Sequence, residues 1–170
     1  LPIVAAVSGH SKKLIEEKSD IIETVMFPYN VVELHGHELL KKAKEKGMGT
    51  ICMKPLAGGN LDDWKLALKF VAASGVIDVN IPGMGNVEEV DRNAAAAEEF
   101  GPLTEEELAR CEAIRRELGG SFCRRCGYCL PCTVGIDIPR CFLFQGYVRR
   151  YDMPDFGKQS YDGLKVHASA

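Results

Sequence analysis

Along the first hundred positions the apolar residues follow two alternating rhythms. Short runs rich in Val and Ile occupy 3–7, 21–27, 49–53 and 76–81, as strands buried on both faces should. Between them, 11–18, 36–46, 61–73 and 87–100 carry apolar residues near a 3.6-residue period. Leu39, Leu40 and Ala43 share one face of the second helical stretch; Leu61, Trp64, Leu68 and Val71 share one face of the third. Ser11, Asn60, and Asn86 with Glu89 behind it read as helix N-caps, and Gly47 falls where a helix should stop. Four strand–helix units in a row predict an α/β fold of parallel strands joined by right-handed crossovers.

A fifth helix is predicted after Thr104, which with Glu107 forms a capping box ahead of Leu108, Cys111, Ile114 and Leu118. Gly119 and Gly120 end it and read as a hinge. A sixth helix is expected over 138–150, with Pro139 in its first turn. From Tyr151 onward the chain is polar and holds Pro154, Gly157 and Gly163, so 151–170 is expected to be loop or linker. The predicted organisation is therefore 1–119 as the strand–helix domain, 120–150 as a cysteine-rich segment, and 151–170 as a tail.

Four such units leave a physical difficulty. Parallel sheets need cover on both faces, and an isolated run of four exposes one face and two strand edges. The chain also opens at Leu1, on a strand-like run, and stops at Ala170 in a polar stretch. It reads as a piece of a longer protein, completed by a missing N-terminal half or by a second copy.

Composition narrows the class. The 170 residues are 46% hydrophobic and 26% charged, which is the balance of a globular protein. A net charge of −3 argues against nucleic acid or an anionic membrane as partner. No apolar run is long enough to span a bilayer, and no basic stretch precedes an apolar one as in a signal peptide. Seven cysteines, five of them between Cys123 and Cys141, point to a reduced, cytoplasmic protein with metal-binding thiolates rather than a disulfide framework.

Cys123, Cys126, Cys129 and Cys132 follow one another at two-residue gaps. Such spacing lets a tight loop wrap an iron–sulfur cluster with backbone N–H groups aimed at the sulfurs. Zinc is the competing metal, although structural zinc sites more often separate two knuckles by a dozen or more residues. Ordinary free thiols are the bland alternative. Cys141 is a fallback ligand, and Arg124 and Arg125 would stand beside an anionic cluster or in solvent.

Each predicted strand ends in a short motif: Ser8-Gly9-His10-Ser11, Phe27-Pro28-Tyr29-Asn30, Met53-Lys54-Pro55-Leu56-Ala57-Gly58-Gly59, and Ile81-Pro82-Gly83-Met84. In this order and spacing they resemble the last four units of the aldo/keto reductase (β/α)8 barrel. The cysteine segment is similar to that of the subfamily with a ferredoxin-like C-terminal domain carrying a 4Fe-4S cluster. The resemblance implies the C-terminal half of a TIM barrel, four βα units, followed by a small helical iron–sulfur segment. Its bacterial ferredoxin counterpart has a final gap of three residues and a proline; here the gap is two, and Thr133 follows Cys132. Relatives carry a second cysteine run downstream, so Cys123, Cys126 and Cys129 would serve one cluster and Cys132 another.

Ligands of such barrels bind at the C-terminal strand ends. The resemblance implies that Ser8 holds the nicotinamide carboxamide and that Asn30 lies at the rim of the same pocket. Met26 stands where the family has a glutamine, and Met53 where many members stack an aromatic on nicotinamide. Pro55, Leu56 and Gly58 match the backbone near the pyrophosphate, Gly83 and Met84 the clamp on the adenosine ribose, and Asn93 the residue near adenine. The cofactor would be NAD(P)H. Gly83 and Glu89 occupy places that are basic in NADPH-preferring members, which slightly favours NADH.

The family's catalytic Asp, Tyr, Lys and His come from the first four units, so no catalytic residue is expected in this chain. The implied parent is an oxidoreductase acting on a small carbonyl substrate, coupled to a redox partner protein. The alternative is a non-catalytic barrel scaffold carrying an electron-transfer or zinc-binding cysteine module. Taken without the resemblance, Ser8 and Asn30 are ordinary turn and cap residues and Gly58-Gly59 a simple turn. His35, His37 and the Lys41, Lys42, Lys44, Lys46 group read as solvated; Cys52 and Cys111 read as buried small apolar residues.

Overall fold

The computed structural model describes residues 4–6, 11–18, 20–118, 123, 127–149 and 153–168. The chain divides into two compact units, Leu1–Gly119 and Gly120–Ala170.

In the first unit, β1 (Val4–Ala6), β2 (Thr24–Pro28), β3 (Gly49–Met53) and β4 (Val79–Ile81) form one sheet in the order β1-β2-β3-β4. All three pairings are parallel. Helices α1 (Ser11–Glu17), α2 (His37–Glu45) and α3 (Trp64–Ala72) connect successive strands. Helices α4 (Val87–Glu98) and α5 (Glu105–Leu118) complete the unit. The strand–helix rhythm of the sequence therefore produces the expected parallel α/β sheet.

Side-chain alternation splits the sheet into two unlike faces. Val25, Phe27, Thr50 and Cys52 point into the core, which Ile15, Leu40, Ala43, Leu66, Leu68 and Val71 fill from the helices. On the opposite face Met26 and Pro28 are half-buried beside their partners Ile51 and Met53. Next to these, Val79 is 49% and Ile81 43% exposed. One face is thus a packed core and the other a half-covered apolar surface, although parallel sheets are ordinarily covered on both.

Helix ends agree with the sequence at some places and differ at others. Asn86 caps α4 by accepting from Glu89 N at 2.8 Å, and Glu89 accepts in turn from Gly85 N at 2.7 Å. The box at α5 forms as written: Thr104 Oγ1 accepts from Glu107 N at 3.2 Å, and Glu107 accepts from Thr104 N at 2.8 Å. Lys69 of α3 also donates to Glu107 at 2.7 Å, so the same carboxylate that caps α5 tethers it to α3. Asn60 does not cap α3. Asp63 does, accepting from Leu66 N at 3.2 Å, while Asn60 closes its own loop by donating to the Ala57 carbonyl. Local spacing could not separate two cap-competent residues so close together; the loop conformation decides between them.

The lysine face of α2 is paired as well as wet. Lys42 meets Glu16 at 2.5 Å, and Lys44 bonds Asp78. His37 is half-buried, with Nδ1 3.0 Å from the Tyr29 hydroxyl, rather than solvated. Exposed His35 meets the Phe27 ring edge-on at 5.4 Å.

In the second unit α6 (Ile138–Arg149) packs on α7 (Pro154–Asp162). Helix α7 lies where the sequence suggested loop. Its polar composition hid a small apolar stripe: Phe156 meets Tyr147 at 5.1 Å, and Gly157 is buried against α6. Pro154 begins the helix and Gly163 caps it, so residues that suggested breaks mark its two ends. No helix among the described residues is long and apolar enough to cross a membrane.

Candidate functional site

Register brings the C-terminal ends of three strands side by side, since Pro28 pairs with Met53 and Met53 with Ile81. The loops leaving β2, β3 and β4 therefore start from one edge of the sheet. They carry the predicted residues Asn30, Pro55, Leu56, Gly58, Gly83 and Met84, with Met53 at the end of β3 itself. Ser8 lies outside the described residues.

Among the described residues of this unit, the loop after β3 has the most unusual backbone. Lys54 and Ala57 are non-glycine residues at φ 55° and 51°, followed by Gly58 and Gly59 at 66° and 81°. Such left-handed geometry is costly for side-chain-bearing residues and must be imposed by neighbours. Pro55 is fully buried and Ala57 nearly so, which anchors the loop, while Leu56, Gly58 and Gly59 are half-exposed.

Asn30 is completely buried. Its Oδ1 accepts from Val32 N at 3.0 Å and Glu33 N at 2.9 Å. Its Nδ2 donates to Glu33 Oε2 at 2.9 Å and to the Lys54 carbonyl at 3.0 Å. The side chain thus spends all its hydrogen-bonding capacity inside the protein, so it is not an open rim residue. Glu33, only 4% exposed, was not singled out from sequence; the Asn-x-x-Glu spacing at 30–33 was the available signal.

Beneath the loops, the Cys52 thiol donates to the Tyr29 carbonyl at 2.9 Å. Burial pushes this thiol up to about 12, opposed by the Tyr29 hydrogen bond and reinforced by Glu33. Burial likewise raises the Tyr29 phenol, with Arg115 opposing. Arg115 donates from Nε to the Val31 carbonyl at 2.7 Å, tying α5 to the loop that holds Asn30.

Gly83 and Met84 are exposed in the loop after β4. Asn93, on α4, is 9% exposed, and its buried Oδ1 has no hydrogen-bond donor among the described residues. Such an orphaned acceptor is uncommon and calls for a partner.

In the cysteine segment Cys123 and Cys132 are half-buried and Cys129 is exposed; Cys126 lies outside the described residues. Backbone amides of Val134, Ile136 and Gly135 near the Cys132 sulfur hold its pKa below the usual thiol value. Gly135 stands at φ 79°, and its N–H closes the turn by donating to the Cys132 carbonyl at 2.9 Å. That is the environment of a stabilised thiolate, the form in which cysteine binds metal. Among the described residues, no three His, Cys, Asp or Glu side chains come within reach of a common ion. Half-buried Cys141 lines an apolar groove of about 720 Å³ between α6 and α7, with Phe142, Val148 and Tyr161.

In fold the chain is similar to part of a solved aldo-keto reductase. The chain is similar in structure to the aldo-keto reductase AKR11C1 from Bacillus halodurans in its holo form. The TM-score is 0.52 at 20% identity, with 64% of this chain and 49% of that one covered. The apo form gives a TM-score of 0.51 at 20% identity, covering 62% and 48%. The chain thus spans about half the length of these solved structures. No protein-family model and no curated protein matches it.

Proposed function

We propose that this chain is the C-terminal half of an iron–sulfur aldo/keto reductase barrel, part of a nicotinamide-dependent oxidoreductase acting on a small carbonyl compound. One observation carries the reading. Four consecutive parallel strands leave Met26, Ile51, Met53, Val79 and Ile81 on a half-covered face, in a chain that covers about half of the barrel it resembles. Closing a barrel over that face would bury it. The completing partner is a preceding set of four units or a second copy.

When bound, NAD(P)H would supply a hydride to the carbonyl carbon. This chain's share is to hold the cofactor. Ser8 would meet the carboxamide, and the backbone at Pro55, Leu56 and Gly58 the pyrophosphate. Gly83 and Met84 would meet the ribose, and the orphaned Asn93 acceptor an adenine amino group. No basic side chain occupies Gly83 or Glu89, so NADH is favoured over NADPH. Proton donation to the carbonyl oxygen falls to residues outside this chain, and alone it is inactive.

Thiolate character at Cys132 supports 4Fe-4S ligation, with Cys123, Cys126 and Cys129 serving one cluster and Cys132 another, which would pass single electrons to a redox protein. The scaffold reading draws on Met26 and Met53, whose thioethers stand on the open face where polar and aromatic cofactor contacts were expected.

Titrating the full-length protein with NADH and NADPH decides between the readings. Saturable binding, tighter for NADH, is expected; its absence at millimolar concentrations would establish the scaffold. Anaerobically purified protein should be brown and contain iron and acid-labile sulfide, reduced in Cys132→Ser. Colourless protein with one zinc would overturn the cluster.

A further inference from the structure

We propose that Asn30 and Glu33 form a latch that acts on the cofactor loop from below, making Asn30 a positioning residue rather than a contact to the ligand. The proposal rests on the reading that the 54–59 loop faces the nicotinamide cofactor.

The latch has two parts. Residues 30–33 close on themselves: Asn30 Oδ1 takes the Val32 and Glu33 N–H groups, and Asn30 N donates to the Glu33 carbonyl at 3.3 Å. Glu33 Oε2 then accepts one Nδ2 proton, which fixes the amide plane and aims the other at the Lys54 carbonyl 3.0 Å away. That carbonyl also accepts from Ala57 N at 2.8 Å. A single oxygen therefore joins the latch to the turn that holds Lys54 and Ala57 in the left-handed region.

Nothing in the local sequence of the loop favours that geometry at Lys54, since left-handed backbone suits glycine and, less well, Asn or Asp. The conformation needs outside support, and Asn30 is the side chain that gives it. With no exposed surface and every polar position used, Asn30 cannot reach a ligand except through this carbonyl. Beside it, Tyr29 N donates to the Met53 carbonyl at 3.3 Å, so the loop is held to the β2 exit at two successive residues.

The test uses the full-length protein and separates loop order from cofactor affinity. Asn30→Ser keeps an acceptor for the 30–33 turn but cannot span to Lys54. Hydrogen exchange at Ala57, Gly59, Asn60 and Leu61 should accelerate about tenfold, the effect of one lost buried hydrogen bond. Exchange in β2 and β3 should stay unchanged, and the NADH dissociation constant should rise by a similar factor. Glu33→Gln retains an acceptor and should change either quantity less than about twofold. Adding Lys54→Gly to Asn30→Ser should restore loop protection, because glycine adopts this φ without support. Unchanged loop exchange in Asn30→Ser, equal acceleration across β3, or failed rescue by Lys54→Gly would overturn the latch. If Asn30→Ser does not fold, the decision passes to Lys54→Gly alone: added loop protection supports a strained, latched Lys54, and lowered protection refutes it. Should the unmodified protein bind no nicotinamide, the functional reading fails while the exchange result still judges the latch.

Discussion

Gly157 offers a sharp test of how the second unit is held together. A Cβ built there would lie 2.7 Å from Val148 Cγ2, 2.9 Å from the Phe144 carbonyl oxygen and 3.2 Å from Tyr147 Cβ. The first neighbour can turn away; the second is backbone of α6 and cannot. In Gly157→Ala, α7 must therefore back off, loosening the Tyr147–Phe156 contact now at 5.1 Å. Overpacking of this kind costs about 2–3 kcal/mol, the upper part of the usual range, because one obstacle is immovable. A nine-residue helix such as α7 is marginal without its docking surface, so the cost should appear as local opening. Amide exchange across α7 should accelerate roughly 30- to 140-fold, at 1.4 kcal/mol per tenfold, with β2 and β3 unaffected. Adding Val148→Ala should recover less than half of the loss. Exchange in α7 within about threefold of the unmodified protein would refute the close approach of the two helices.

Two further outcomes follow from the first unit. The Cys52 thiol is raised from 9.0 to about 12, so the unfolded chain ionises first, and stability present below pH 9 is lost as pH rises toward 12. The slope approaches about 1.4 kcal/mol per pH unit. Urea denaturation from pH 8 to 11 should show a steeper loss in the unmodified protein than in Cys52→Ala, which keeps the contributions of the raised Tyr29 and Cys111; parallel profiles would contradict it. At Gly36 an added Cβ would overlap the buried Phe27 ring, whereas at Gly83 it would meet nothing within 4 Å. Gly36→Ala should cost about 2–3 kcal/mol and Gly83→Ala under about 0.5 in thermal melting. Equal effects would mean that α2 does not enter against Phe27 as described.

Much of the fold can be read from local patterns because the patterns are themselves local. Valine and isoleucine runs, the Thr104–Glu107 box and the Gly47 stop each depend on residues a few positions apart, and the structure realises all three. Capping by Asp63 instead of Asn60 turns on a loop path that spacing does not encode. Helix α7 was missed because its partner surface lies on α6, and a short polar helix owes its stability to docking rather than propensity.

The site divides in the same way. The order of strand-end motifs is a property of the chain, and parallel connection obliges those motifs to share one edge of the sheet. That Asn30 is buried and saturated and that it meets Lys54, bent into left-handed geometry, arise from a contact across 24 positions of sequence, although the Glu33 that orients it lies only three residues away. Likewise, composition announces thiolates, but only the folded turn at 132–136 brings backbone amides close enough to lower the Cys132 pKa. Hydrophobic period and capping act over a few residues, so the elements up to α6 and their order are legible in the chain itself. Tertiary structure alone decided which side chains meet and which face of the sheet stays half-covered, because burial and hydrogen-bond saturation depend on neighbours distant along the chain.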